Sequence, residues 1–166
     1  MSVIVNKTQD LISKGIYVNW FDSDDLMVID KIENQFTVLD KSSYDFVVGQ
    51  TSMLDIPSGK DLGVRNPKLI SENPLRDYIT FKIFWLTGAV LWRKSFLKNA
   101  GVNFDERLHQ SQDYDFHMRA LAISQNYTTL DQILMIYKCH GGNMSVSFTN
   151  SPKKILSNAR VKSNII

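Results

Sequence analysis

Three short clusters carry residue types that could do chemistry. The first, Asp22-Ser23-Asp24-Asp25, closes an apolar and aromatic run over Ile16–Phe21. Side chains at i and i+2 of an extended segment point the same way, so Asp22 and Asp24 can converge on one point. Paired carboxylates at a strand's carboxyl end make a hard oxygen site suited to Mg²⁺ or Mn²⁺, and Mg²⁺ commonly binds through one or two carboxylates plus substrate phosphates. Three like charges after a buried strand repel unless a cation offsets them. Asp25 taken alone reads as a cap for the helix that follows. The second cluster, Gln112-Asp113-Tyr114-Asp115, opens a helical pattern. An ordinary Asp has a pKa of about 3.9, so Asp113 is ionised at neutral pH and able to accept a proton as a general base. A helix-dipole gain of about 0.3–1 kcal/mol would account for it equally well. Asp115 falls on another side of the helix and reads as structural. The third is Tyr137-Lys138-Cys139-His140, followed by Gly141-Gly142. His140 becomes a metal ligand only where the fold returns it to the acidic cluster. Cys139 has no partner at a zinc spacing and reads as packing.

These groups need elements to position them, and the pattern alternates between two periodicities, the mark of a mixed α/β domain. Ile16–Phe21 reads as a buried strand after the breaker Gly15. Ile29, Ile32, Phe36 and Leu39 recur at helical steps and predict one apolar helix face. Tyr44–Gln50 is the next strand. Ile56–Pro74 holds three of the four prolines and reads as a long irregular loop. Phe84–Trp92 is a strand interrupted at Thr87-Gly88, where a backbone bend or a close ligand approach fits. Trp85 and Trp92 straddle that break and read as core, with ring stacking against a ligand as the alternative. Lys94–Ala100 is a short helix stopped by Gly101, and Gln112–Gln125 a largely buried one. His117 is expected to pack beside its start. Ile133–Tyr137 is a strand and His140–Asn143 a glycine turn. Ser151, with Pro152 behind it, caps a last helix that needs something to pack on.

Composition narrows the classes. A chain of 166 residues is the size of one domain. Hydrophobic residues at 43% and charged residues at 22% exclude disorder and coiled coil. A surplus of +2 gives no argument for a nucleic-acid partner. The longest uncharged apolar run, Ile83–Trp92, falls short of the about 20 residues a membrane span needs. No stretch has the layout of a signal peptide, and one cysteine fits a reducing compartment, so a cytoplasmic location is expected.

Taken in order, the motifs resemble a known family. Gly15 to Asp25 resembles the metal-binding strand and DxD segment of family 2 glycosyltransferases of the GT-A fold. Thr87-Gly88-Ala89-Val90-Leu91-Trp92-Arg93 is similar to their acceptor-side strand. Gly101-Val102-Asn103-Phe104-Asp105-Glu106 with Gln112 to Arg119 is similar to their G-x-F-D-E … E-D-Y-D-x-x-x-R block. Tyr137 to His140 with Asn143-Met144-Ser145 resembles the closing Y-R-x-H … S segment. The likeness runs from about Asn6 to Ser147. It implies a GT-A-like mixed sheet flanked by helices over residues 1–150, and a C-terminal helix at 151–166 packing on that domain or on a partner. It implies a metal-dependent, inverting transfer, of hexosyltransferase type, from a nucleotide-diphosphate sugar (a UDP-sugar) to a glycan acceptor. On this likeness Asp22, Asp24 and Lys138 bind the donor, Asp24 and His140 hold Mn²⁺ or Mg²⁺, and Asp113 is the base. Trp85, Thr87 and Gly88 lie on the acceptor side.

The sequence departs from that pattern at three places. Gln112 stands where the family has an acid, and Lys138 replaces an arginine, which keeps the charge and loses bidentate phosphate recognition. Only Met1–Ser13 precede the metal strand, where the family places its nucleotide-binding front. A fold truncated at its N-terminus is therefore expected, with exposed edges that a homodimer or a covering helix would shield. Peripheral association with the inner face of a membrane belongs to the same expectation. The alternative is an inactive remnant serving as a sugar-binding or interaction module. An Asp-x-Asp after a strand also occurs in haloacid-dehalogenase phosphatases, but Asp25-Leu26 fits that pattern poorly.

Overall fold

A computed structural model of the chain describes residues 14–108 and 111–140. Six strands form one mixed sheet: β1 (Tyr17–Val18), β2 (Leu26–Met27), β3 (Phe46–Asp55), β4 (Lys60–Val64), β5 (Val90–Arg93) and β6 (Tyr127–Cys139). The order is β1-β5-β3-β6-β2, with β4 pairing the far half of β3. β3 runs parallel to β6 and antiparallel to β5 and β4. Among the described residues four helices flank the sheet: α1 (Lys31–Asp40), α2 (Pro74–Ile79), α3 (Lys94–Ala100) and α4 (Gln112–Ile123). The expected mixed α/β sheet with flanking helices is the fold observed. Residues 151–166 and Met1–Ser13 lie outside the described residues.

Strand alternation builds two cores. Phe46 and Val48 of β3, with Val90 and Trp92 of β5, join a large aromatic cluster that takes in Leu97 of α3 and Phe116 of α4. Val47 and Leu91, one residue out of step, point to the other face and pack with Leu39 of α1. The sheet is thus buried on both sides, which explains the unbroken apolar run at Phe46–Val48. Phe46 stacks on Tyr127 at 4.9 Å with the rings 3° from parallel, locking β3 to β6. The parallel register slips at Gly49–Thr51, and Gly49 is needed there because a Cβ would sit 2.5 Å from Leu134 Cδ1.

Several boundaries differ from the sequence reading. Only Tyr17–Val18 of Ile16–Phe21 joins the ladder. β3 and β6 extend well past Tyr44–Gln50 and Ile133–Tyr137, because each supplies the other's hydrogen bonds along its length. The loop expected over Ile56–Pro74 contains β4, joined to β3 by a tight turn in which Gly59 takes φ 69°. The strand expected over Phe84–Trp92 is a 3-10 turn at Thr87–Ala89 followed by β5. Lys94–Ala100 is the expected helix, ended by Gly101 at φ 62°.

The largest correction concerns α1. Ile29 is 95% exposed, and Ile32 and Phe36 are also exposed, while Lys31, Gln35 and Leu39 face the sheet. The Gln35 amide donates to the carbonyls of Val47 (3.1 Å) and Ala89 (2.9 Å), two backbone acceptors that helix packing would otherwise leave dry. Lys31 Nζ donates to Gln35 Oε1 at 2.6 Å and lies 6.0 Å from the Phe21 ring centre.

Burial holds the Lys31 pKa down at about 8, against an ordinary 10.5. A base lowered by folding costs stability while charged, so the penalty is complete below about pH 8 and fades as pH rises to 10.5. Lys31→Met is therefore expected to stabilise the chain at pH 7 by roughly 1–3 kcal/mol, after loss of the Gln35 hydrogen bond is counted. The gain should shrink between pH 8 and 10. Urea unfolding of both proteins at pH 7 and pH 10 checks this, and an effect independent of pH would refute it.

Candidate active site

The acidic turn is pinned at two points. Past Val18 the chain leaves the ladder, and the Asn19 amide donates to the carbonyls of Gly88 (3.1 Å) and Val90 (2.6 Å). This ties the segment before Asp22 to the Thr87–Ala89 turn. The Asp25 N–H donates to the Asp22 carbonyl at 3.3 Å and closes the turn. The second pin is the Lys138 backbone N–H, which donates to Asp25 Oδ1 at 3.0 Å. Asp25 therefore clamps the turn to the end of β6 and does not cap a helix. α1 begins after Asp30, which makes no side-chain cap bond.

One carboxylate oxygen each from Asp22, Asp24 and Asp25 lies within 4.8 Å of the others. Asp22 and Asp24 are exposed and Asp25 is buried. Burial, then the charge of Asp24, raises the Asp22 pKa. Asp25 is raised by burial and by both neighbouring aspartates, against the opposing Lys138 N–H and the Lys138 charge. His140 Nε2 lies 3.5 Å from Asp24 Oδ2, so β6 returns the histidine to the turn. Hard oxygens gathered on an exposed turn, under mutual repulsion and with an imidazole alongside, fit a divalent cation.

Asp113 is the second residue of α4. Its pKa is raised to about 6, first by burial and also by the Asp22 charge, while the buried Thr87 hydroxyl makes no hydrogen bond among the described residues. Asp22 and Asp113 thus share one field. Asp113 is half-buried as a residue, and its carboxylate is desolvated. Asp115, one residue past the stacked Tyr114, is fully buried and pairs with Arg119 at 2.6 Å, the structural part expected of it. His117 is buried beside the start of α4 as expected. It shares a 2.9 Å hydrogen bond with the Tyr78 hydroxyl, and burial lowers its pKa to about 3.

The three residues expected on the acceptor side, Trp85, Thr87 and Gly88, are all buried. Trp85 is 2% exposed and packs against Phe46, Tyr78, Tyr127 and His117, so it is core. Gly88 is buried where a Cβ would meet Met135 and Phe21 at 3.0–3.2 Å. Its close approach is to the protein's own side chains. Asn19 and the backbone of Lys138 were not expected in the site. A polar asparagine inside the apolar run Ile16–Phe21 is the visible signal for the first, whereas a backbone donor leaves none. An open cavity of about 570 Å³ runs along Gly101–Arg107 and Arg119. Neither the acidic turn nor Asp113 lines it.

The raised pKa of Asp113 has a stability cost with a definite sign. An acid raised by folding stabilises the chain fully below its unfolded pKa of about 3.8, and that contribution is lost as pH rises through about 6. Asp113→Asn is expected to stabilise the chain by roughly 1–2 kcal/mol at pH 8, with no difference near pH 4. Denaturant titrations at the two pH values measure it. Equal stabilities at pH 8 would show that the carboxylate is not desolvated.

No family model matches the chain. An uncharacterized glycosyltransferase of Methanocaldococcus jannaschii is 23% identical over 128 residues, which is 76% of this chain and 43% of that protein. The structure of S. aureus TarS 1–349 in complex with UDP-GlcNAc aligns with a TM-score of 0.68 at 19% identity, covering 92% of this chain and 43% of that one. A second TarS 1–349 structure aligns at 0.63 and 18% identity, covering 82% and 40%. The chain spans less than half the length of each of these relatives. The chain is thus similar in sequence to part of a glycosyltransferase and shares the fold of part of TarS.

Proposed function

We propose that the chain transfers a hexosyl unit from a nucleotide-diphosphate sugar, a UDP-sugar, to a hydroxyl of a glycan acceptor. The observation that carries this reading is the acidic turn, where one oxygen each of Asp22, Asp24 and Asp25 lies within 4.8 Å of the others and His140 Nε2 lies 3.5 Å from Asp24. In this reading the turn offers hard oxygens for a diphosphate-bound cation, Asp113 offers a desolvated base, and the substrate cleft lies between them. The complex of TarS with UDP-GlcNAc supports the donor class.

Asp113 accepts the proton of the acceptor hydroxyl as the oxygen attacks the anomeric carbon. The carbon–oxygen bond to the diphosphate breaks and the nucleoside diphosphate leaves with the electron pair. A single displacement of this kind inverts the anomeric carbon. Asp22, Asp24 and His140 would hold Mn²⁺ or Mg²⁺, which supplies charge stabilisation for the departing diphosphate. Lys138 adds a positive charge beside the same turn, already felt at Asp25. With its pKa near 6, Asp113 is charged at neutral pH yet basic enough to take a proton during attack.

The first test is donor binding. UDP with Mn²⁺ at about a hundred times the dissociation constant is expected to raise Tm by roughly 5–10 °C, with no comparable rise for either alone. Asp24→Ala should lose the rise while keeping its own Tm within a few degrees. A Tm unmoved by several nucleoside diphosphates with metal would sink donor binding. Binding without release of UDP from any UDP-sugar would instead favour the inactive module.

A further inference from the structure

The helix α2 ends with an unusual residue. Thr80 closes the helix, Phe81 N–H donates to Tyr78 O (3.1 Å) and Lys82 N–H to Asp77 O (2.8 Å). This is the paired hydrogen-bond pattern in which the residue after the cap turns left-handed, a position that glycine normally fills. Here it holds phenylalanine at φ 56°. Its ring is not used to fill the core, since Phe81 is 64% exposed. A large apolar side chain in strained backbone, left open to solvent, breaks two local rules at once, and such breaks gather at binding sites.

The neighbours of that ring place it against the first turn of α4, which carries Asp113. Phe81 stacks on Tyr114 at 4.9 Å with the rings 11° from parallel, and Tyr114 stacks in turn on Tyr78 at 5.6 Å. The Tyr114 hydroxyl donates to Ile79 O at 3.0 Å, which fastens the end of α2 to the start of α4. Phe84 lies 6.0 Å from Phe81 and completes the platform. Tyr114 directly follows Asp113, so the aromatic column begins one residue, about 3.8 Å along the backbone, from the base.

We propose that Phe81 is the acceptor's stacking platform, presenting its open face to the C–H face of a pyranose ring so that a hydroxyl of the glycan meets Asp113. A pyranose fits because it combines a flat apolar face with a rim of hydroxyls, and the site pairs an exposed ring with a hydroxyl-activating carboxylate. This rests on the transferase reading and names the acceptor subsite within it.

The test uses the full chain and three variants, Phe81→Gly, Phe81→Tyr and Phe81→Ala. Saturation-transfer NMR with methyl β-D-glucopyranoside, methyl β-D-galactopyranoside and chitotetraose reports which sugar protons lie against the protein. Saturation on the C–H face is expected for at least one sugar in the wild type and in Phe81→Tyr, with about three- to tenfold weaker binding in the glycine and alanine variants. Glycine also relieves the left-handed strain, so Phe81→Gly should keep or raise Tm by about 2–4 °C. A ring present only for packing would give the reverse, a lower Tm and unchanged sugar saturation, and overturns the proposal. So does a wild type that saturates none of the sugars. The UDP–Mn²⁺ thermal shift is measured on the same samples and should be equal in all four proteins. Its absence, with Phe81-dependent sugar binding intact, would remove the transfer reading and leave the platform.

Discussion

The site depends on one amide. Asn19 sends both of its N–H bonds to a strand it does not pair with, and the acceptors are the carbonyls of Gly88 and Val90 on either side of Ala89. Those two carbonyls bracket the place where the 3-10 turn becomes β5, so ladder partners are scarce there. The amide satisfies them and fixes the distance between the acidic turn and Thr87 together. Gln35 serves the same edge from the opposite face by bonding Ala89 O. Three successive carbonyls, at Gly88, Ala89 and Val90, are thus held by side-chain amides from two layers. The backbone beside the cleft is rigid because its hydrogen bonds go to side chains that packing immobilises.

Much of this was legible in the chain, and the reasons for the failures are physical. Motif spacing singled out the acidic turn and His140, and the structure brings the two within 3.5 Å at Asp24. The burial of α1 was misread, because apolar spacing at Ile29, Ile32 and Phe36 outweighed Lys31 and Gln35 in any hydrophobic count. Gln35 is buried for its donors, a demand set by β3 and the 3-10 turn, which periodicity along α1 does not register. The hairpin hidden in Ile56–Pro74 was missed for the opposite reason. β4 is exposed along its whole length and carries no buried face to read. Gly59 at the turn was the available signal.

The electrostatics of the cleft set function against stability. Burial raises the pKa of Asp22, Asp25 and Asp113, and the charge of a neighbouring aspartate adds to each. A sequence selected for stability alone would replace at least one of them. What offsets the repulsion is local, since the Lys138 N–H and charge both favour the ionised form of Asp25. Asp25 is held by that N–H while buried, and Asp22 and Asp24 remain exposed.

The two pins divide the labour between the cleft's walls. Asn19 sets the turn against Thr87, on the side where Asp113 waits. Asp25 sets the same turn against β6, and with it the approach of His140 to Asp24. β6 in turn is held in register by the Phe46–Tyr127 stack at its other end, about a dozen residues away. The histidine therefore reaches the turn only when the long parallel pairing of β3 and β6 is in register throughout. A one-residue slip would send His140 to the opposite face of the sheet. The bulge at Gly49, kept open by the absence of a side chain against Leu134, is where that register is decided. A glycine deep in the sheet and a histidine at its end are thus parts of one mechanical arrangement, though neither touches the other.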